Sequence, residues 1–305
     1  MGCAICANYR TGGFLELLKR KRKHRSRSGN EFCPTIMAKL DTQGISLYYE
    51  ILGKTTNAPV LLVSGLGGMG KSWGPQIERF VERYYVILPD QRGTGQSTRA
   101  ASGYTTQQLA TDMASLVDHL AVGPVHVVGS STGGAIAQYM ALNHPRTVHS
   151  LTISSSFARF DAFTLREFEV RRKMAADWDR HAMFSGYSLF LFSPRYTREH
   201  PDRVTMWIER ATAHPTGPED REIALKRIDM IMTHDALARL CDIRQPTLVL
   251  CGDHNFCTPL PLSEEIAHAI PGAEMVVFKE AGELIELEEE EKFFQLVSNF
   301  IERHR

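Results

Sequence analysis

Residues 125–141, "VHVVGSSTGGAIAQYMA", constrain the chain more than any other stretch. A β-branched run breaks at Gly129-Ser130-Ser131-Thr132-Gly133 and passes at once into small residues that suit a helix. Glycine two positions either side of Ser131 fits a strand-to-helix turn so tight that a Cβ at either glycine would collide. Such a turn presents Ser131 as a nucleophile at a helix N-terminus, with the backbone N–H of Thr132 available to hold an oxyanion.

The rest of the chain supplies a frame for that turn. "APVLLVSG", "YYVILPD", "PVHVVGS", "VHSLTIS", "PTLVLCG" and "AEMVVFK" are short and apolar nearly throughout, as strands buried on both faces should be. Amphipathic stretches at 73–82, 106–120, 133–143, 262–270 and 289–303 read as helices. Strands alternating with helices predict an α/β class with a mostly parallel sheet and helices on both faces. Residues 157–240 break the rhythm with helical periods and no convincing strand. An all-helical insertion there would lie over the C-terminal edge of the sheet, and it is predicted to be a helical lid. With 305 residues and 43% hydrophobic content, the chain is long enough for such a core with an insertion.

The 35 Lys plus Arg balance the 35 Asp plus Glu, so global charge gives no reason to expect a nucleic-acid partner. Residues 1–36 hold eight basic and two acidic residues and are expected to form a basic flexible arm, with the folded domain at 37–305. The opening "MGC" permits acylation at Gly2 and Cys3, although position 6 is Cys where Ser or Thr is preferred, and the basic run behind it would draw the arm to a membrane surface. A nuclear-localisation-like tract, a transit peptide and a solvated tail are the competing readings. Six scattered cysteines, with no run long enough for a secretory core or a membrane span, favour the cytoplasm. No metal and no cofactor is expected, because "CGDHNFC" lacks zinc spacing.

"LLVSGLGGMGKSW" follows the first long strand and offers the second oxyanion donor, the N–H of Leu66, with Gly65, Gly67 and Gly68 permitting close approach. "LPDQRGTGQS" adds a turn after the next strand. Together with "VVGSSTGGAIAQYMA", the lid phrases "FEVRR" and "LFLFSP", "PTLVLCGDHNFCTP" and "AGELIELEEEEKFF", these segments resemble the α/β-hydrolase superfamily from about residue 38 to the C-terminus. Within it the pattern is similar to aminoacrylate hydrolases, enol-lactonases and related esterases. The resemblance implies an α/β-hydrolase fold and a small-molecule carbonyl substrate: an ester, lactone or amide.

Two positions depart from the family pattern. The resemblance places the catalytic acid at Asn255 and the catalytic histidine at Glu283, with Glu288 and Phe293 keeping the spacing that follows the histidine. Removing the histidine of a triad costs on the order of 10⁶ in kcat. Three readings follow: a non-catalytic binding or interaction protein; changed chemistry, including a lyase or cyclase, with Glu283 as base; and a hydrolase whose base comes from a neighbour such as His254, beside Asp253. In the second, Asn255 can donate a hydrogen bond to Glu283 where an aspartate would repel it. Asp161 and Asp235 flank the lid as replacement acids or solvated charges, and "ELEEEEK" reads as an acidic helix start that needs no function.

Overall fold

A computed structural model describes residues 36–213 and 217–305. The basic arm, with Gly2 and Cys3, lies outside the described residues except for Ile36, which opens the first strand. The strands are β1 (Ile36–Thr42), β2 (Ile45–Leu52), β3 (Pro59–Val63), β4 (Tyr85–Pro89), β5 (Val125–Ser130), β6 (Val148–Ser154), β7 (Thr247–Gly252) and β8 (Glu274–Phe278). They form one eight-stranded sheet in the order β1-β2-β4-β3-β5-β6-β7-β8. The β2 strand runs antiparallel to both its neighbours, and β4 to β8 pair in parallel through β3 and β5. The helices are α1 (Gln76–Arg83), α2 (Thr106–Leu120), α3 (Thr132–Asn143), α4 (Ala162–Asp177), α5 (Arg180–Leu191), α6 (Pro194–Glu199), α7 (Pro201–Thr212), α8 (Pro218–Met232), α9 (Leu260–Ala269), α10 (Ile285–Glu288) and α11 (Glu290–Arg303).

Strand β3 shows why the central segments read as unbroken apolar runs. Leu61 and Val63 enter one apolar cluster while Val60 and Leu62 enter the other, and all four are inaccessible to solvent. Alternating side chains point to opposite faces, so a sheet covered on both faces needs every position apolar. One cluster gathers Leu109, Ile136, Phe168 and Ile231, and the other Phe80, Phe293, Val297 and Phe300. Five helices, α4 to α8, run between β6 and β7. Among the described residues, no helix is long and apolar enough to cross a membrane.

Parallel pairing also determines where the loops go. Successive parallel strands leave the sheet at the same edge, so the loops after β3, β5, β6, β7 and β8 converge there. The turn between β5 and α3 is the tightest of them. Ser131 stands at φ 55°, ψ −120°, a region that side chains rarely occupy. A Cβ on Gly129 would overlap the Gly133 carbonyl, and a Cβ on Gly133 would overlap the Val63 carbonyl. Gly133→Ala is therefore expected to lower the unfolding free energy by about 3 kcal/mol or more in urea titrations, because the rigid backbone of β3 cannot yield.

Candidate active site

The strained serine is held by its neighbours. The Ser131 amide donates to the Ser154 carbonyl on β6 at 2.8 Å, and the Ser156 hydroxyl donates to the Ser131 carbonyl at 2.7 Å. A backbone in such a region costs roughly 1–3 kcal/mol and persists only when its surroundings enforce it. Thr132 opens α3 directly after it.

The loop after β3 lies against the serine, since a Cβ on Gly65 would sit 3.3 Å from the Ser131 Cβ. A hydrogen-bond chain fixes the peptides on both sides of the Gly65–Leu66 amide. Gln91 Nε2 donates to the Ser64 carbonyl at 2.6 Å, Arg227 Nε donates to the Leu66 carbonyl at 2.9 Å, and Arg227 Nη2 donates to Gln91 Oε1 at 2.6 Å. Arg227 comes from α8, so the inserted helices help hold the loop. Burial pulls its pKa down to about 10. Crowding explains two of the three glycines here. Gly65 is close to the serine and Gly68, at φ 72°, is packed on Thr94 and Arg227, whereas a Cβ on Gly67 would meet nothing.

Glu283 leaves the loop after β8 with its amide donating to the Leu191 carbonyl at 3.0 Å, and its side chain is 1% exposed. Its Oε2 accepts from Thr258 Oγ1 at 2.6 Å and from Asn255 Nδ2 at 2.8 Å. Asn255 is fixed in turn, its Oδ1 accepting from the Thr258 amide at 3.0 Å. An aspartate at 255 would set two carboxylates side by side; the amide supplies a donor instead. Glu283 Oε1 makes no hydrogen bond among the described residues and is shut off from solvent. Burial raises the pKa of this carboxyl, opposed by the hydroxyls of Thr258 and Ser131, by Asn255 and then by the charge of Arg171. Asn255 and Glu283, 28 positions apart, thus meet in one hydrogen-bond network, with the Ser131 hydroxyl near enough to oppose the rise of the carboxyl.

The neighbours in the 253–254 segment point elsewhere. His254 is exposed, and Asp253 lies 3.1 Å from Lys279 Nζ and accepts from the Glu280 amide. Neither is brought to Ser131, because the backbone that buries Asn255 turns its two predecessors outward. Asp161 caps α4 through the Thr164 amide, and Asp235 accepts from the Leu237 amide at 3.1 Å; these local bonds explain both residues.

Several further groups surround the site. Thr258 carries no sequence signal as a partner of Glu283, because only the folded loop brings its hydroxyl to the carboxylate. Glu286, read as part of a solvated helix start, is buried, accepts from Ser130 Oγ at 3.1 Å, and is pushed up to about 7 by burial. Glu288 joins the Glu283 loop to the inserted helices, accepting from the Ser193 amide at 2.7 Å, the Ser193 hydroxyl at 2.8 Å and the Gly282 amide at 3.1 Å. Glu167 and Arg171 lie buried on α4, the latter within the "FEVRR" phrase.

The fold and the serine turn define a class, and comparison with known proteins agrees. A family model described as the alpha/beta hydrolase fold matches residues 58–290, and the chain belongs to that family. It is 38% identical, over 74% of its length and 84% of the relative's, to a protein of Azorhizobium caulinodans provisionally named carbamate hydrolase RutD. Among solved structures it is similar to a hydrolase from Pseudomonas aeruginosa PA01, with 25% identity, 87% and 98% of the two chains covered and a TM-score of 0.77. It is also similar to an N-acyl homoserine lactone degrading enzyme, with 27% identity, 86% and 99% covered and a TM-score of 0.74.

The titration of Glu286 has a measurable consequence for stability. Its folded pKa of about 7 lies above the ordinary 4.5, so the unfolded chain ionises first as pH rises. The resulting cost is absent below about pH 4.5, grows through the interval and is complete above about pH 7. Glu286→Gln removes it. Relative to the parent, the variant is expected to gain about 3 kcal/mol of unfolding free energy between pH 4.5 and pH 8 in urea titrations.

Proposed function

We propose that this protein hydrolyses a small carbonyl compound, an ester, lactone or carbamate, with Ser131 as nucleophile and Glu283 in place of the usual histidine base. The observation that carries the reading is the asymmetry of Glu283. One carboxylate oxygen is tied to Asn255 and Thr258, while the other is left unpartnered and out of water with the Ser131 hydroxyl near enough to influence its titration. The carbamate and lactone in the names of its relatives support a carbonyl substrate.

In this mechanism Ser131 Oγ forms a bond to the carbonyl carbon while its proton passes to Glu283 Oε1. The amides of Leu66 and Thr132 hold the oxyanion, and the α4 to α8 helices act as a lid that keeps water from the carboxylate. Collapse of the tetrahedral adduct breaks the bond to the leaving group, which takes the proton back from Glu283. Water then adds to the acyl-serine, again giving its proton to Glu283, and the second collapse frees the acid and returns the proton to Ser131. Asn255 and Thr258 orient the carboxylate throughout. The raised pKa of Glu283 makes it a stronger base than an exposed glutamate, and a positioned base contributes about 10²–10⁴ in rate.

Hydrolysis of p-nitrophenyl acetate and labelling by a fluorophosphonate test this reading. Both are expected in the parent and lost in Ser131→Ala, and Glu283→Gln should lower turnover by about 10²–10⁴. Because only the ionised carboxylate accepts a proton, the rate should climb as pH passes through the raised pKa of Glu283 and level off above it. Unlabelled folded protein would end the proposal, as would a Glu283→Gln variant as fast as its parent.

A further inference from the structure

We propose that Glu167 and Arg171 form a recognition site for an amide-type group on the substrate, a ureido or carboxamide in which a carbonyl lies beside an N–H. The proposal rests on the reading of Ser131 and Glu283 as the reacting pair, and it adds what the rest of the substrate looks like.

Both residues project from α4 one turn apart, and they are 5% and 4% exposed. The Arg171 guanidinium lies between the rings of Phe168 and Tyr187, 4.5 and 4.6 Å from their centroids, so its freedom to turn is small. Its Nη1 donates to Cys257 Sγ at 2.8 Å and to Glu167 Oε1 at 3.4 Å, and its own carbonyl accepts from the Tyr187 hydroxyl at 2.8 Å. The side-chain contacts use Arg171 Nη1 and Glu167 Oε1. Arg171 Nε and Glu167 Oε2 are shut off from solvent and make no hydrogen bond among the described residues. Buried polar atoms without partners are rare enough that a specific purpose is expected of them.

The pair leaves one donor, Arg171 Nε, and one acceptor, Glu167 Oε2, buried and unpaired one helical turn apart. Burial pushes Glu167 up to about 7; above that pH it is ionised, so a ligand carboxylate would suit Arg171 but would oppose Glu167, and an ammonium would suit Glu167 but would oppose the guanidinium. A neutral group with a carbonyl next to an N–H satisfies both. Cys257, which takes the Arg171 hydrogen bond, directly precedes Thr258, which donates to Glu283 Oε2, and this sets the site beside the proposed base. A substrate could then present its reacting carbonyl to Ser131 and its amide-type group to α4.

The test compares N-carbamoylglycine ethyl ester with ethyl 4-methylpentanoate, which has nearly the same shape without the ureido group. Calorimetry on the Ser131→Ala protein is expected to show the ureido ester binding on the order of 100-fold tighter, because unpaired buried groups reject the alkyl analogue. Adding Glu167→Gln, which keeps the shape but turns the acceptor into a donor, should bring the two esters to within about fivefold, as should Arg171→Met. If Arg171→Met does not fold, Glu167→Gln decides alone. Equal binding of the two esters, no binding of either, or a preference that survives in the variants would overturn the proposal. Failure of the Ser131 and Glu283 reading has a separate signature: the parent protein hydrolyses neither ester while the binding preference persists.

Discussion

The turn at Ser131 can form only where three backbones crowd together. Gly133 packs on the Val63 carbonyl of β3, Gly129 packs on Gly133, and the Ser131 amide is taken by Ser154 of β6. The central strand is therefore locked to both its neighbours at the point where the chain turns into α3. Because β3, β5 and β6 are parallel, their loops must leave at that same edge, and the Gly65–Leu66 segment arrives against the serine without further steering. Strain at one residue is tolerated because the sheet determines everything around it.

A second constraint is electrical. A carboxylate in a site with little water needs donors, and Glu283 takes two from Asn255 and Thr258 on one oxygen. Hydrogen bonds to charged groups contribute about 1.5–3 kcal/mol each, and they act here against a burial that favours the neutral acid. The histidine of the family pattern would need an acceptor behind it; a glutamate needs a donor. In the pair Asn255 and Glu283 the amide donates and the carboxylate accepts.

The inserted helices are tied into this arrangement at three points. Arg227 of α8 holds the Leu66 carbonyl, Leu191 at the end of α5 accepts from the Glu283 amide, and Ser193 binds the Glu288 carboxylate. The loops that carry Leu66 and Glu283 are thus braced by the segment between β6 and β7. Arg171, on α4, adds a fixed positive charge that favours the ionised form of Glu283.

Much of this was legible in the linear chain. Six strands, β8 among them although only its Phe278 is buried, and the helix that follows Ser131 could be read because apolar runs and glycine spacing are local properties. Other elements were not. The β1 strand has mostly exposed or half-buried side chains, so it gave no apolar run, and the arm was carried to residue 36 although the strand begins there. The helix read at 73–82 is divided, since Gly74 at φ 51° and Pro75 separate a short 3-10 turn from α1. The run at 286–292 looked like a solvated helix start, yet Glu286 points inward beneath Ser130 while Glu291 remains at the surface.

By itself, then, the sequence determined the α/β pattern and the serine turn, because each depends on neighbours within a few residues. Only the tertiary structure decided which atoms meet: that Thr258 and Asn255 share one oxygen of Glu283, that His254 faces solvent, and that Glu167 and Arg171 lie buried with unpartnered atoms beside the site. Contacts across separations such as the 28 positions between Asn255 and Glu283 arise from the parallel sheet gathering its loops at one edge, and no local pattern records which side chains it will press together.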